Sequence, residues 1–342
     1  MIETSRRAVL AVGVAFPAAA CANLLPAAAP TFGSIRRLSP DLDALIARDA
    51  VVEQLGGGFQ WAEGPVWVRD TLLFSDPPKN TMYRWSRAHG VEVFLHPSGY
   101  AGADTASLRE AGSNGLALDA SGTLVMCDSG SRALARLDLK TKRKETLVER
   151  FEGKRFNSPN DLVIARSGAI YFTDPPYGLA GLESSPVKEL PYSGVYRWTP
   201  DGMVVLIDQS FLYPNGVALS PDQSTLYVSN TDAKLPIIRA YRLAADGLPA
   251  SASTFFDTSA LIAPGVRGMP DGMKIDAAGN LFASGPGGIL VLSKNGELLG
   301  VIAVTGRTTP NCAFGEDGKT LFIAATDAIG RVRLKTRGEN WL

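Results

Sequence analysis

Six polar side chains occupy the same place in a short phrase that recurs along the chain. In each phrase a turn is followed by one carboxylate or amide residue and then by an apolar strand, and successive phrases begin 40 to 56 residues apart. A period of this length predicts an array of similar structural units. If the array closes into a ring, the six side chains point at one axis. They are Glu63, Asn114, Asn160, Asn215, Asp271 and Asn311.

The chemistry of this set suits a hard divalent cation. Glu63 and Asp271 would contribute carboxylates, and Asn160 and Asn215 would contribute amide oxygens. An all-oxygen set with two negative charges favours calcium, with magnesium, manganese or zinc as alternatives. Without a cation the two carboxylates would repel each other, and one of them should take up a proton.

The competing interpretation is local turn chemistry. Asn-Gly and Asp-Gly pairs are common in hairpin turns, where the polar residue needs no ligand. Turn chemistry does not explain Glu63, however, nor the shared register of the polar residue in distant repeats. We therefore interpret the six residues as one axial set.

Other metal and nucleophile chemistries find little support in the sequence. The chain has only two histidines, His89 and His96, and both lie away from the six repeat positions. A histidine zinc site or a Ser-His-Asp triad would need one of them. The sequence contains no G-x-S-x-G nucleophile motif. Gly318-Lys319-Thr320 is similar to the end of a phosphate loop, but the first glycine of that motif is replaced by Ala313, so we predict a hairpin turn.

The repeats also predict the elements that position these side chains. In the first repeat, short apolar or alternating runs at 66–68, 72–75, 82–85 and 91–95 are separated by turn residues. This pattern is typical of a four-stranded antiparallel meander. Six such units predict an all-β fold, a six-bladed β-propeller with four-stranded antiparallel blades.

The last repeat is one strand short, because only nine residues follow Arg333. We expect residues 51–55 to supply the missing strand, so that an N-terminal strand closes the ring and protects both edges. An open solenoid is the alternative, and it would leave two edges uncapped.

Three long insertions fall on the face that carries the six polar residues. They span 96–113, 149–159 and 174–193. Long loops collected on one side of a rigid scaffold are typical of a binding face. We therefore expect a small-molecule site there, at the mouth of the central tunnel.

The first thirty residues resemble an export signal. Ser5-Arg6-Arg7 precedes an apolar run of 13 residues at 8–20, which is too short to span a bilayer. The paired arginines favour a twin-arginine signal over an ordinary secretory one, and hence a periplasmic protein. A lipid anchor at Cys21 is a less favoured alternative. We predict an extension with a short helix at 31–50 and a single propeller domain at 51–342.

Composition limits the partners of the mature chain. Its formal net charge is zero, which offers no electrostatic footprint for nucleic acid. No second apolar run approaches membrane length. Cys127 and Cys312 alone remain after signal cleavage, and two cysteines do not form a disulfide framework in a domain of this size. We expect buried free thiols, and the sequence leaves the oligomeric state open.

The repeat phrases resemble a known superfamily, that of gluconolactonase, regucalcin and diisopropyl-fluorophosphatase-like proteins. The matching text is Glu63-Gly64-Pro65-Val66-Trp67, Ser158-Pro159-Asn160-Asp161-Leu162, Pro214-Asn215-Gly216-Val217-Ala218-Leu219-Ser220 and Pro270-Asp271-Gly272-Met273. The stretches at 73–78, 155–161 and 171–178 are more specifically similar to exported bacterial gluconolactonases. The resemblance extends over about 39–335.

The resemblance implies a six-bladed propeller with a calcium-type metal on its axis. It implies four metal ligands, Glu63, Asn160, Asn215 and Asp271. It also makes Asp271 the acid/base candidate and Asn114 a substrate contact. Asn160 and Tyr177 are further candidate substrate contacts.

The function expected from these observations is that of an exported metal-dependent lactone hydrolase. It would open a sugar aldonolactone, such as glucono-1,5-lactone, to the aldonic acid. Metal ligation lowers the pKa of Asp271 and weakens it as a base, so either its second oxygen takes the proton or a metal-bound water is the nucleophile. The alternatives are a phosphotriesterase-like hydrolase on the same metal and a non-catalytic propeller that binds a ligand. Sugar oxidation would need a quinone or nucleotide cofactor, for which no motif is evident.

Overall fold

In the part of the chain that the structure describes, six sheets of four or five strands surround a common axis, and one further two-stranded hairpin lies between two of them. The computed structural model describes Met1 and residues 32–339. The predicted export signal and Cys21 lie outside the described residues. None of the helices within the described part of the chain is long and apolar enough to cross a membrane.

The segment before the first repeat contains more strand than the sequence predicts. It forms β1 (Gly33–Arg37), α1 (Leu42–Leu45) and β2 (Val52–Gly57). The short helix lies inside the predicted stretch. The strand β1 was not predicted, because Ile35 is its only large apolar residue and no alternating pattern results. It is an edge strand that pairs antiparallel with residues 300–304, as a fifth strand on one blade.

The remaining strands follow the repeats. Blades 1 to 3 comprise β3 (Glu63–Val68), β4 (Thr71–Asp76), β5 (Thr81–Ser86), β6 (Gly90–Leu95); β7 (Leu116–Leu118), β8 (Leu124–Asp128), β9 (Ala133–Leu137), β10 (Lys144–Val148); and, after a small hairpin of β11 (Arg150–Phe151) and β12 (Lys154–Arg155), β13 (Leu162–Ile164), β14 (Ile170–Asp174), β15 (Gly194–Trp198), β16 (Val204–Asp208). Blades 4 to 6 comprise β17 (Pro214–Leu219), β18 (Thr225–Asn230), β19 (Ile237–Leu243), β20 (Pro249–Asp257); β21 (Met273–Ile275), β22 (Leu281–Gly285), β23 (Gly288–Leu292), β24 (Leu298–Val304); and β25 (Asn311–Gly315), β26 (Thr320–Ala325), β27 (Ala328–Arg333). Two 3₁₀ turns lie at Leu182–Ser184 and Ser259–Leu261.

The ring closes as expected. The N-terminal β2 pairs antiparallel with the C-terminal β27 and completes blade 6. The first strands of neighbouring blades contact one another all the way round, from β3 through β7, β13, β17 and β21 to β25 and back to β3. These contacts confirm the six-bladed propeller closed by an N-terminal strand. The turn containing Gly318-Lys319-Thr320 connects β25 to β26, as predicted.

The core lies between neighbouring blades. The second strands β8, β14 and β22 are buried along their whole length, because each blade packs against a neighbour on both faces. Aromatic side chains fill the junction between blades 6 and 1, where Trp67 stacks on Phe322 at 5.1 Å between ring centroids. Cys127 and Cys312 are buried free thiols, in agreement with the prediction.

Two long loops lie on the face where the first strands begin. We call them the rim loops: residues 96–115, between β6 and β7, and residues 175–193, between β14 and β15. They are joined by backbone hydrogen bonds, in which Arg109 N donates to Gly178 O at 2.8 Å and Ala180 N donates to Ser107 O at 2.9 Å. Leu108 and Leu179 form an isolated antiparallel bridge between them. The two insertions therefore form one connected structure.

Candidate active site

A cavity of about 340 Å³ opens where the predicted axial residues meet the rim loops. Every residue that the sequence singled out as a metal ligand, acid/base group or substrate contact lines it. Except for Trp61 and Pro78, the lining side chains are polar. The lining residues are Gln60, Trp61, Glu63, Pro78, Arg109, Glu110, Asn114, Asn160, Tyr177, Asn215, Thr231 and Asp271.

The glycine that follows each of four axial residues is explained by packing against the next blade. A Cβ at Gly216 would lie 2.2 Å from the Asp271 carbonyl oxygen, and a Cβ at Gly115 would lie 2.7 Å from that of Asn160. A Cβ at Gly64 would meet the Asn114 carbonyl oxygen in the same way, and a Cβ at Gly272 would collide with the Asn311 side chain. The Asn-Gly pairs are thus contact points between blades, and hairpin geometry does not account for them.

Hydroxyl groups at the ends of second strands hold the axial residues in register. Ser75 Oγ donates to Asn114 O at 2.8 Å, Thr173 Oγ1 to Asn215 O at 2.6 Å, and Ser229 Oγ to Asp271 O at 2.8 Å. Each bond joins one blade to the next. The sequence analysis did not single out these residues, although their position in each repeat is equivalent.

A buried aspartate follows Ser75 and another follows Thr173 in the sequence. Each of them binds the backbone just before the axial residue of its own blade. Asp174 accepts hydrogen bonds from Asn157 N at 2.8 Å and Ser158 N at 2.7 Å, three and two residues before Asn160. Asp76 accepts equivalent bonds from the backbone of residues 60 and 61, just before Glu63. The segments that present the first-strand residues are thereby tied to the second strands.

The axial side chains present oxygens that the protein itself does not engage. Glu63 Oε2 accepts bonds from Gly64 N at 2.7 Å and Asn311 Nδ2 at 3.1 Å, which leaves Oε1 available. Asn215 Nδ2 donates to Thr231 Oγ1 at 3.0 Å, which leaves its carbonyl oxygen available. Asp271 Oδ1 is buried and has no hydrogen-bond partner within the described part of the chain. A buried carboxylate oxygen without a donor is unfavourable unless a ligand satisfies it.

This donor set fits a hard dication. No group of three or more His, Cys, Asp and Glu side chains that could hold a metal occurs among residues 32–339. The oxygen donors that line the cavity and could hold a cation are the two carboxylates of Glu63 and Asp271 and the amide oxygens of Asn160 and Asn215. Carboxylate and amide oxygens are characteristic calcium ligands.

Two carboxyl groups that line the cavity have raised pKa values because they are buried close to other acidic groups. Burial raises the pKa of Glu63 to about 7, with Asp161 adding to the rise. Burial, followed by the charges of Glu63 and Asp161, raises the pKa of Asp271 well above its usual range. Without a cation these carboxyl groups tend to hold protons, as expected from their shared cavity.

Asn311, the sixth axial residue, differs from the others. It does not line the cavity; its side chain donates to Glu63 and its Oδ1 accepts from Cys312 N at 2.9 Å. Lys274 Nζ also lies 3.5 Å from this oxygen. Asp161 is another carboxyl group of this region. Burial raises its pKa, and the positive charge of Lys274 partly offsets that rise. The sequence analysis did not single out Lys274 or Asp161, whose proximity arises from different blades.

The rim loops contribute Tyr177 and two residues that the sequence analysis missed, Arg109 and Glu110. Tyr177 stacks on Tyr213 at 5.6 Å, and burial raises the pKa of its hydroxyl far above the usual value. Glu110 is buried beside the exposed Arg109, at 3.0 Å from carboxylate oxygen to guanidinium nitrogen. Burial raises the pKa of Glu110 to about 7, and the charge of Arg109 opposes that rise. The only feature of the sequence that could have indicated Glu110 is its position, four residues before the axial residue Asn114.

The two histidines take no part in this cavity. His96 Nδ1 lies 3.1 Å from Thr81 Oγ1 and from Asn80 O, and His89 lies in the turn between β5 and β6. Neither histidine is among the residues that line the cavity.

Comparison with known proteins gives a consistent result. The family model described as SMP-30/Gluconolactonase/LRE-like region matches residues 61–327. A gluconolactonase of Zymomonas mobilis is 47% identical over 319 residues, which cover 90% of this chain and 88% of that protein. The structure of a Xanthomonas campestris gluconolactonase superposes with a TM-score of 0.75 at 34% identity, and covers 90% of this chain and 98% of that one.

A more distant relative shares the fold. A calcium-binding regucalcin from Agrobacterium tumefaciens is 20% identical, with a TM-score of 0.66 over 85% of this chain and 96% of its own. At that identity the similarity extends to the six-bladed architecture. The repeat phrases, the closed ring of blades and the match over residues 61–327 lead to the same assignment: the chain belongs to the SMP-30/gluconolactonase/LRE-like family.

Proposed function

We propose that this protein is a metal-dependent lactone hydrolase that opens a sugar aldonolactone, glucono-1,5-lactone in the first place, to the aldonic acid. The observation that carries the proposal is the convergence of carboxylate and amide side chains from four blades on one cavity, with oxygens of Glu63, Asn215 and Asp271 left without a protein partner among residues 32–339. The volume of this cavity lies near the lower end of the range for small-molecule sites, which suits a single sugar ring. The 47% identity to the Zymomonas gluconolactonase supports the same activity.

The four axial residues would hold the cation, for which calcium is the favoured ion. They are Glu63, Asn160, Asn215 and Asp271. When bound, a dication polarises the ester carbonyl and offsets the negative charge that develops on its oxygen. Asn311 supports this role indirectly, because its bond to Glu63 Oε2 fixes the carboxylate and leaves Oε1 for the ion.

Asp271 is the candidate base. One of its carboxylate oxygens would bind the cation, and the other would accept the proton from the water that attacks the carbonyl carbon. Asn114, Asn160 and Tyr177 would contact the sugar hydroxyl groups and orient the ring. The carboxylate, amide and hydroxyl groups among the lining residues can form hydrogen bonds with a polyhydroxylated substrate.

We also propose that the protein works in the periplasm. Arg6-Arg7 and the apolar run at 8–20 support export through a twin-arginine signal. Fractionation of cells that produce the full chain, followed by activity measurement in each fraction, tests this location.

The decisive experiment is a lactone assay on metal-free protein with cations added back. Calcium, magnesium, manganese and zinc are each added, and the spontaneous opening of glucono-1,5-lactone is subtracted. We expect no catalysis without a cation and restoration by calcium. A phosphotriester is assayed in parallel. Full lactone turnover in the presence of a chelator, or turnover of the phosphotriester alone, would contradict the proposal.

A further inference from the structure

A buried carboxyl group of the rim loops has no role in the mechanism above. The Glu110 side chain is 11% exposed and lines the cavity. Its backbone is fixed, because Glu110 N donates to Gly178 O at 3.3 Å and the neighbouring Arg109 N donates to the same oxygen. Among residues 32–339, the only charged partner of its carboxylate within 4 Å is the adjacent Arg109. A buried carboxyl group with so few partners is unusual outside functional sites.

Lactone opening needs a proton donor as well as a base. When the bond between the carbonyl carbon and the ring oxygen breaks, that oxygen departs as an alkoxide unless it receives a proton. An aliphatic alkoxide is a poor leaving group, and a positioned acid typically accelerates such steps by about 10²–10⁴-fold.

The titratable groups that line the cavity leave one suitable donor. Besides Glu110 they are Glu63, Arg109, Tyr177 and Asp271. Glu63 and Asp271 are committed to the cation and to the attacking water. The Arg109 guanidinium does not give up its proton in proteins, and burial makes the Tyr177 hydroxyl a weaker acid than usual.

We propose that Glu110 is a second catalytic residue, the general acid that protonates the leaving ring oxygen. This inference rests on the proposed lactonase function. Water forms a bond to the carbonyl carbon and gives one proton to Asp271; the ring C–O bond breaks, and its electron pair takes the proton of Glu110. The product is a hydroxy acid, and both carboxyl groups are restored by proton exchange with solvent.

The surroundings of Glu110 allow it to carry a proton near neutral pH. Its pKa is raised to about 7 by burial, and Arg109 keeps it from rising further. Tyr177 on the facing rim loop is neutral. Glu63 and Asp271 on the axial side add negative charge, which a bound dication offsets. The acid form of Glu110 therefore decreases as the pH rises through its pKa.

The test compares leaving groups in wild-type and E110Q protein, both loaded with the activating cation. One substrate is glucono-1,5-lactone, and the other is a benzo-fused lactone whose leaving group is a phenol with a pKa of about 10. We expect E110Q to lose about 10²–10⁴-fold in kcat on the sugar lactone and less than about tenfold on the phenolic lactone. E110D, which retains a carboxyl group, should recover part of the lost rate.

Controls separate this role from folding and from substrate binding. Asp104→Asn, on the same rim loop but exposed and outside the cavity, should change neither rate. Thermal unfolding of E110Q should match wild type, because glutamine resembles the protonated acid. If wild type does not accept the phenolic lactone, the pH dependence of kcat decides: we expect kcat of wild type to decline at high pH as Glu110 loses its proton, and we expect no such decline in E110Q.

Three results would overturn the inference. They are a kcat for E110Q within about threefold of wild type, equal losses on both lactones, and an unchanged decline at high pH. Each of these requires active wild-type enzyme, so they differ from failure of the proposed function. If wild type opens no lactone with any cation, the function itself is wrong and the role of Glu110 is rejected with it.

Discussion

The axial and rim sides of the cavity are built in different ways. On the axial side, equivalent residues of successive blades are held by one repeated device, in which a second-strand hydroxyl donates to the backbone of the next axial residue. On the rim side, Glu110 and Tyr177 come from two unrelated insertions that are joined by backbone hydrogen bonds. The axial side is a product of symmetry, whereas the rim is particular to two blades.

This difference suggests a division of labour. A repeated scaffold holds several oxygens at one axis with little freedom, which suits a cation and the reacting carbonyl. Loops tolerate changes in length and sequence without loss of the blades, which suits recognition of the rest of the substrate. Damage to the axial side should therefore abolish turnover, and damage at the rim should mainly alter binding, with Glu110 as the exception that we propose.

The largest effect is expected at Asp271. D271N keeps the shape of the side chain but removes a charge from the cation site and the proposed base. We expect kcat to fall by about 10²–10⁴-fold, with cation affinity weakened and the thermal unfolding temperature preserved. Titration calorimetry and the lactone assay measure these changes. Asp257→Asn, at an exposed strand end of blade 4, is the matched control, and near-wild-type turnover of D271N would remove Asp271 from the mechanism.

The hydrogen bonds that hold the segment before Asn160 can be removed by a substitution at Asp174. D174A leaves the amide groups of Asn157 and Ser158 unpaired in the interior, and we expect the free energy of unfolding to fall by about 2–5 kcal/mol. D76A should cost less, because Gln60 is exposed and water can replace the lost bonds. Urea denaturation of both variants measures the difference. Equal losses would mean that the buried amides are satisfied in another way.

The pH dependence of stability in the metal-free protein tests the raised pKa of Glu63 on the axial side. The folded-state pKa of Glu63 is raised to about 7 from 4.5, so the folded protein binds more protons than the unfolded chain between these values. Proton binding by Glu63 therefore stabilises the folded protein fully below the pKa of Glu63 in the unfolded chain, and this stabilisation is lost as the pH rises through about 7. In chelator, the unfolding temperature should therefore fall between about pH 5 and about pH 8, and calcium should reverse the fall.

The variant E63Q is the control for this pH dependence. It removes one titrating group, so the decline in metal-free protein should be shallower than in wild type, and calcium should stabilise it less. A metal-free wild-type protein whose unfolding temperature rises across the same interval would show that Glu63 is not a proton-binding group in the folded state.

The smallest effect is expected at Tyr177 in the rim. Its hydroxyl is buried without a hydrogen-bond partner in the described part of the protein, so Y177F should change the free energy of unfolding by less than about 0.5 kcal/mol. If the hydroxyl binds a sugar hydroxyl, KM should rise roughly 3–10-fold with little change in kcat. Tyr213→Phe, its stacking partner outside the cavity lining, is the control. An unchanged KM would exclude Tyr177 as a polar substrate contact.

Several features of the site could be read from the chain because they repeat. Glu63, Asn160, Asn215 and Asp271 each lie within two residues of the start of a first strand, and alternating apolar runs define those strands locally. Periodicity therefore predicted the blades, the shared face and the convergence of these side chains. The edge strand β1 had no such pattern, since a single apolar side chain suffices at an outer edge.

What the sequence by itself determined is thus the repeated part of the protein: six blades, their closure by β2 and the axial set of oxygens. Only the tertiary structure decided which axial residue serves as a support, because Asn311 meets Glu63 across 248 residues. Likewise, Glu110 is buried beside the cavity only in the folded protein, because its rim loop is held by backbone hydrogen bonds to the other rim loop, which belongs to a different blade. Burial and pKa depend on neighbours that are distant in the chain, and no local pattern records them.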